Sequence, residues 1–269
     1  MLIMKIESIQ NKECFVKVFD KEKIILSQIR ASKSTDIKSK SLYKKIANEL
    51  ISRSRIKSNT SMLEIWAKNA AIKNNANNKN ITFIQTIADE NIKIKNKKLI
   101  ISDLYSNIFA ANTFDICYSM LSCNAAKDML KFFSSIYSIL KVKGKFLAVF
   151  SGADSFNEFK ECFYKLFPDY IDKSFLPSID LQDLGKIGQV SGYKNIVVDK
   201  DKFVLKIKNP SDVWNFIRGV GESSYLLERN RRPFSKAEYL KLISSIEEII
   251  AKKKYFSTTI TLNYFTGEK

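Results

Sequence analysis

Residues 114–150 carry the clearest fold signal, because two apolar runs flank a helical pattern. The runs are FDICYSML (114–121) and KFLAVF (145–150), and between them apolar residues recur at helical spacing from Met129 to Leu140. Lys143-Gly144 ends the helical pattern just before the second run. Short continuous apolar runs are typical of strands buried on both faces, so this order predicts a parallel strand pair joined by a right-handed helical crossover.

The same type of pattern continues on both sides of this unit. Apolar runs predict further strands at 61–66, 81–87, 98–102, about 194–199, about 202–207 and 256–265. Helical spacing predicts further helices at about 155–167, 180–191, 210–217 and 236–253. Repeated strand–helix units predict an α/β, Rossmann-like fold with a mostly parallel seven-stranded sheet and an antiparallel C-terminal strand.

The N-terminal region differs from this alternation. Residues 1–57 are expected to form a helical arm that packs on an α/β domain at 58–269. Apolar residues recur near helical spacing over 12–57, with a polar break from Ser32 to Ser41 and a second helix from Leu42 to about Ser54.

The charge of the chain is strongly positive. Among 269 residues, 45 Lys and Arg stand against 28 Asp and Glu, which gives a net charge of +17. Only seven of the basic residues are Arg, whereas nucleic-acid binders gather Arg for bidentate contacts. A compositional origin therefore competes with a functional basic face for an acidic protein or an anionic membrane surface. Nucleic acid is disfavoured as a partner, since aromatic residues are not interleaved with Lys on one face.

The absence of His excludes several kinds of site. His-based triads, zinc-protease sites and haem–His ligation are not possible. Four Cys residues (Cys14, Cys117, Cys123 and Cys162) form no C-x-x-C pair, and free thiols fit a reducing cytosol. We therefore expect no metal and a cytoplasmic location. We also expect no transmembrane segment, because no apolar run reaches the roughly 18 residues that a span requires.

Five short segments, in chain order, carry a family resemblance. They are VFDK (18–21) with the Arg30-Ala31-Ser32 that follows it, NTFDI (112–116), ILKVKG (139–144), DLG (183–185) and GVGESS (219–224). Together they resemble class I S-adenosylmethionine-dependent methyltransferases. Within that superfamily the sequence resembles the malonyl-acyl-carrier-protein O-methyltransferases of biotin synthesis. It also resembles the methyltransferase-like assembly factor of respiratory complex I, which is linked to arginine hydroxylation.

The resemblance implies a cofactor, a partner and a substrate side. The cofactor is S-adenosylmethionine, and the partner is a protein subunit of a respiratory complex. Cap segments are implied at about 155–182 and 208–235, over the substrate side of the pocket.

The segment that should bind the cofactor departs from the family pattern. In this family the first strand ends in a Gly-rich turn, because Gly permits positive φ and lets the backbone approach the ligand without a Cβ. Here the aligned residues are Trp66, Lys68 and Ala70, and only the acid Glu64 matches. By resemblance the Trp66 indole projects where the methionine and ribose parts would lie. An acid at Glu64 can also cap or pair locally.

Further cofactor contacts are implied at the ends of the next strands. Asp89 is the candidate acid for the ribose hydroxyls, and Asp103 is the candidate acceptor for the adenine amine. Leu104 replaces a second acid, and Ser119 lies near the end of the fourth strand. Asp103 is alternatively a strand-end cap.

The C-terminal half contains the candidate substrate or partner site. Its residues are Arg218, Gly219, Gly221, Glu222 and Arg229. An arginine here could receive a carboxylate or an acidic protein segment. The alternative is a Gly-hinged helix end whose arginines pair with nearby glutamates.

Two functions therefore compete. In the first, a methyltransferase-like protein with impaired S-adenosylmethionine binding acts by protein contact in respiratory complex assembly. Three side chains added to a crowded turn, one of them Trp, favour this hypothesis. In the second, an active S-adenosylmethionine-dependent methyltransferase, or a related arginine-modifying enzyme, uses an altered pocket. The sequence assigns no catalytic group.

Overall fold

The computed structural model describes residues 18–76, 80–94, 96, 98–106, 108–170, 174–229, 232 and 234–269. The predicted start of the N-terminal arm, residues 1–17, lies outside the described residues, as do positions 171–173, 230–231 and 233 of the two cap segments.

One mixed sheet forms the centre of the described structure. Its seven strands are Ser61–Glu64 (β1), Thr82–Ile87 (β2), Leu99–Ile101 (β3), Phe114–Met120 (β4), Leu140–Ser151 (β5), Lys194–Ile207 (β6) and Phe256–Glu268 (β7). They are ordered β3-β2-β1-β4-β5-β7-β6. The strands β1 to β5 are parallel to one another, whereas β7 is antiparallel to both β5 and β6. The predicted fold class is confirmed.

Helices cover both faces of this sheet. They are Lys21–Ser32 (α1), Ile37–Ser54 (α2), Ala71–Asn75 (α3), Met129–Ile139 (α4), Asn157–Leu166 (α5), Leu181–Val190 (α6), Asp212–Val220 (α7) and Lys236–Lys253 (α8). One face packs α4 and α6 on the sheet, and the Phe133 ring lies 4.9 Å from that of Phe265. The other face packs α2, α5, α7 and α8, through fully buried Leu42, Phe159, Phe216 and Leu242.

Several predicted boundaries were wrong. The helix predicted to end at Lys143-Gly144 ends at Ile139, and β5 begins directly at Leu140, so Lys143 and Gly144 lie inside the strand. α2 begins at Ile37, because Asp36 caps it by accepting a 2.7 Å hydrogen bond from the backbone N–H of Ser39. Ile37 is 81% exposed, so the first turn of α2 lacks the apolar stripe by which a helix is recognised. The strands predicted at 194–199 and 202–207 are one strand, since Lys200 and Asp201 continue the register with Asn263 and Leu262 of β7.

The N-terminal helix is tied to the segment that follows α7. The backbone N–H of Asp20 donates to the carbonyl of Tyr225 at 2.8 Å, and Phe19 forms an antiparallel bridge with Leu226. Together α1 and the end of α7 lie against the loops that follow β1 and β4. The division into an arm and a core domain stays a prediction. Within the described ranges, no helix has both the length and the apolar composition needed to cross a bilayer.

Candidate functional site

The sheet has a switch point between β1 and β4. From β1 the chain proceeds to β2 and β3 on one side, and from β4 it proceeds to β5 on the other. In open α/β sheets, ligands bind in the crevice at the carboxyl ends of the strands at such a point. The loops after β1 and β4 therefore define the candidate site.

Lys68 spans this crevice. Its side chain is 2% exposed, and its Nζ donates hydrogen bonds to the carbonyl oxygens of Leu121, at 2.8 Å, and Val220, at 3.1 Å. Leu121 follows β4, and Val220 ends α7. Burial lowers the pKa of the Lys68 ammonium to about 8, against the opposing effect of the Glu222 charge. One side chain from the first loop thus connects three elements across the site.

Gly221 permits this arrangement. It adopts φ +77°, and a Cβ at this position would lie 2.8 Å from Lys68 Nζ. The Gly221 carbonyl accepts a 3.0 Å hydrogen bond from Ser27 Oγ on α1. A glycine is required here by both the backbone conformation and the lysine beside it.

Trp66 turns away from the crevice. It occupies the left-handed region at φ +48°, where a glycine is favoured. Its backbone N–H donates to Thr86 Oγ1 at 2.9 Å, and its indole Nε1 donates to the Ser102 carbonyl, just after β3, at 2.8 Å. The indole therefore lies toward the end of β3, and Lys68 rather than Trp66 fills the space between the β1 and β4 loops.

Glu64 connects β1 to β2. Its side chain is buried, and its Oε2 accepts a 2.7 Å hydrogen bond from Gln85 Nε2. The same amide nitrogen donates to the Asn69 carbonyl at 3.0 Å. Burial raises the pKa of the Glu64 carboxyl to about 8, and the hydrogen bond from Gln85 opposes this shift.

Of the other predicted cofactor residues, Asp89 and Ser119 lie apart, whereas Asp103 and Leu104 share a cavity with Trp66. Asp89 Oδ1 accepts 2.8 Å hydrogen bonds from the backbone and the side-chain amide of Asn91, so it closes a local turn. Ser119 is fully buried within β4. Asp103 and Leu104 line, with Trp66, a cavity of about 460 Å³ at the end of β3.

Asp103 is already engaged at the rim of that cavity. Its Oδ1 accepts from the backbone N–H of Tyr105 at 3.2 Å, and its Oδ2 lies 3.3 Å from Lys21 Nζ of α1. Both groups are exposed enough to separate at low cost.

Glu222 is the centre of a buried polar cluster. Its Oε1 accepts from Asn124 Nδ2 at 2.9 Å, and its Oε2 accepts from Ser151 Oγ at 2.7 Å. Burial raises the pKa of Glu222, whereas the positive charge of Lys68 lowers it. Asn124 follows β4 and Ser151 ends β5. Neither partner was predicted, because only the folded sheet brings these strand ends to Glu222.

Of the remaining residues of the predicted substrate or partner site, Arg218 shares a pocket with Glu222, and the others contact different elements. Arg229 Nη2 forms a 2.9 Å ion pair with Asp20, and Nη1 donates to the Leu226 carbonyl. A Cβ on Gly219 would lie 2.6 Å from Ser39 Oγ, so this glycine allows α7 to approach α2. The structure thus brings Gly221 and Glu222 to Lys68, but not Arg229; the roles assigned to all of these residues stay predictions.

A metal has no evident place in the described part of the chain. No group of three or more Cys, Asp or Glu side chains there is arranged to hold an ion.

Comparisons with known proteins identify relatives of two kinds. The chain is 26% identical over 147 residues to the mitochondrial arginine-hydroxylase NDUFAF5 of Rattus norvegicus, a match that covers 51% of this chain and 43% of the rat protein. It is 24% identical over 174 residues to malonyl-[acyl-carrier protein] O-methyltransferase 1 of Ilyobacter polytropus, covering 65% of this chain and 63% of that protein. The matches thus span less than two thirds of either relative.

Solved structures share the fold. The YcgJ protein of Bacillus subtilis superposes with a TM-score of 0.54 at 14% identity, covering 84% of this chain and 98% of that one. No model of a known protein family matches the sequence.

Proposed function

Because the chain belongs to the class I S-adenosylmethionine-dependent methyltransferase family, we propose that it is a methyltransferase-like protein with impaired cofactor binding that acts by protein contact. The observation that carries this proposal is the position of Lys68. Its ammonium bridges the Leu121 and Val220 carbonyls in the crevice where this fold receives ligands.

The residues present do not fit S-adenosylmethionine in that crevice. A ligand there must displace Lys68 from two hydrogen bonds, each worth about 1.5–3 kcal/mol when the donor is charged. The ligand's sulfonium would also carry positive charge toward a buried ammonium. A cost of about 3 kcal/mol already weakens binding by roughly 10²-fold.

Protein contact is supported by what surrounds the filled crevice. The GVGESS segment (219–224) holds Gly221 against Lys68 and Glu222 within the polar cluster. Contacts within the chain thus hold this segment in place when no cofactor is bound. The net charge of +17 favours an acidic partner. The partner in this proposal is a subunit of a respiratory complex during its assembly, the class implied by the resemblance to the complex I assembly factor.

A second function is favoured by a specific cavity. About 460 Å³ remains open beside Trp66, Asp103 and Leu104 at the end of β3. A nucleoside could enter this cavity, because Lys68 is not among the residues that line it. The alternative is therefore an active S-adenosylmethionine-dependent methyltransferase, or an arginine-modifying enzyme like the relative named arginine-hydroxylase, with an altered pocket.

Calorimetric titration with S-adenosylmethionine separates the two functions. We expect no saturable heat from the wild-type protein up to about 1 mM ligand, and a measurable affinity in Lys68→Ala, because the crevice is then vacated. Lys40→Ala, which removes an exposed lysine of α2, is the matched control and should behave like wild type. Micromolar binding by the wild-type protein would establish the alternative instead.

A further inference from the structure

Two arginines from separate helices line one surface pocket. Arg30 lies in the last turn of α1, and Arg218 lies in the last turn of α7. The pocket has a volume of about 230 Å³ and is walled by Phe175 and Ile217. Two positive charges therefore face one concave space.

Neither arginine has an ion-pair partner among the described residues. Arg53 is paired with Asp199 and Glu49, and Arg229 is paired with Asp20. Arg30 and Arg218, by contrast, take part in none of the hydrogen bonds or ion pairs that the described side chains form. Two like charges facing the same pocket disfavour each other, and an anion between them would relieve this repulsion.

The pocket offers further hydrogen-bond donors. Ser223 lies in its lining and carries a hydroxyl group. Trp214 also lines it, and its indole Nε1 is inaccessible to solvent and has no hydrogen-bond partner among the described residues. A buried donor without an acceptor costs on the order of 1–3 kcal/mol, so a ligand oxygen that reaches it gains affinity.

Glu222 limits the charge of such a ligand. It is the acid of this lining, and both of its oxygens already accept hydrogen bonds from Asn124 and Ser151. A doubly charged phosphate beside this carboxyl group would be repelled more strongly than a singly charged carboxylate. Guanidinium groups bind carboxylates in a fork geometry that strengthens the contact.

We propose that the Arg30–Arg218 pocket binds a carboxylate group, supplied by a small organic acid or by an acidic side chain of a partner. The proposal deepens the proposed function, on which it rests for the biological role of the pocket, because the pocket includes Ser223 and Ser224 of the GVGESS segment. The binding itself does not depend on the cofactor crevice.

Side-chain NMR provides a readout at the pocket itself. The chain has seven Arg and two Trp residues, so their Nε–H signals are few enough to assign. Titration with propionate, and with a blocked tripeptide Gly-Glu-Gly, each of which carries one carboxylate, should shift the signals of Arg30, Arg218 and Trp214 in a saturable manner. Trp66, whose indole is bound to the Ser102 carbonyl, is the internal control and should not move.

Substitutions identify the residues responsible. Arg30→Gln and Arg218→Gln should each weaken binding of the carboxylate probe about tenfold, since each removes a charge-assisted contact. Arg55→Gln removes the same charge outside this pocket and should leave the affinity unchanged. Saturation by the Glu tripeptide but not by its Gln analogue supports the proposal for a protein side chain, and saturation by propionate supports it for a free acid.

Three outcomes would overturn the proposal. One is an immobile Trp214 signal with both probes. The second is an Arg55→Gln effect equal to that of Arg218→Gln, which would indicate general attraction to a cationic protein. The third is tighter binding of inorganic phosphate than of either carboxylate. None of these results changes the S-adenosylmethionine titration, so failure here is distinct from failure of the proposed function.

Discussion

The Nζ atom of Lys68 lies 2.8 Å from the carbonyl oxygen of Leu121, so the loop after β1 is fastened across the crevice to the loop after β4. A second hydrogen bond joins the same two loops, because Ser122 Oγ donates to the Trp66 carbonyl at 2.7 Å. Under the proposed function, these contacts within the chain take the place of contacts to a ligand. The side chains of Trp66 and Lys68, which stand at positions where the family has glycine, are thus part of the packing.

Gly221→Ala should destabilise the protein by about 2 kcal/mol, because alanine is strained at positive φ and its Cβ would press on Lys68 Nζ. In a Lys68→Ala background the loss should shrink to about 1 kcal/mol, the strain that remains at this φ. Urea unfolding of the four proteins in the cycle measures this coupling. Simple additivity of the two substitutions would show that the residues do not press on each other.

Glu64→Gln should change how stability depends on pH. The folded pKa of about 8 lies above the ordinary value of 4.5. Between these two pH values the folded protein keeps a proton that the unfolded chain has lost, so stability falls as pH rises through this window.

An amide at position 64 does not titrate and can still accept from Gln85. Glu64→Gln should therefore make the fall of stability with rising pH less steep. At pH 8 its free energy of unfolding should exceed that of the wild type by a few kcal/mol, on the order expected for a pKa shift of this size. Thermal or urea unfolding between pH 5 and 8 measures it, with exposed Glu247→Gln as the matched control. Parallel pH profiles for Glu64→Gln and wild type would mean that Glu64 is not held protonated.

Trp66→Gly should destabilise the protein despite restoring the residue type that its backbone favours. Relief of the left-handed conformation returns about 1 kcal/mol, whereas loss of a buried indole costs about 3–5 kcal/mol. The indole is 6% exposed and donates to Ser102. We expect a net loss of about 2–4 kcal/mol in chemical denaturation. A neutral or stabilising effect would show that Trp66 contributes no packing.

Arg229→Gln should cost about 1 kcal/mol and make stability less sensitive to salt. The pair with Asp20 is 2.9 Å long, and its side chains are 16% and 20% exposed, so it fastens the start of α1 to the cap segment. Lys200→Gln, which breaks the more exposed pair with Asp154, is the control and should have a smaller effect. Urea unfolding at low and high salt compares the two variants. Equal losses of stability would argue that the Arg229–Asp20 pair does not hold α1 to the cap segment.

Most of the fold could be predicted because its signals are local. Continuous apolar runs marked β4 and β5, and α8 was bounded correctly by Ser235 and Glu238, which form the expected capping box. The start of α2 was predicted too late in the sequence, because its first turn is exposed and carries no apolar stripe.

The candidate site could be predicted only in part. The replacement of glycines by Trp66, Lys68 and Ala70 is visible in the sequence, but the side chain that fills the crevice is not. Lys68 is bound to Val220, a residue 152 positions away, and only the folded sheet brings them together. The same holds for Arg30 and Arg218, which come from different helices.

A crystal structure grown with S-adenosylmethionine at about 1 mM, a concentration at which even weak sites fill, would examine the filled crevice at atomic level. We expect Lys68 Nζ within hydrogen-bond distance of the Leu121 and Val220 carbonyls, with no adenosyl density between the β1 and β4 loops. Ordered cofactor there, with Lys68 displaced to solvent, would contradict the proposal that the chain's own side chain has replaced the ligand.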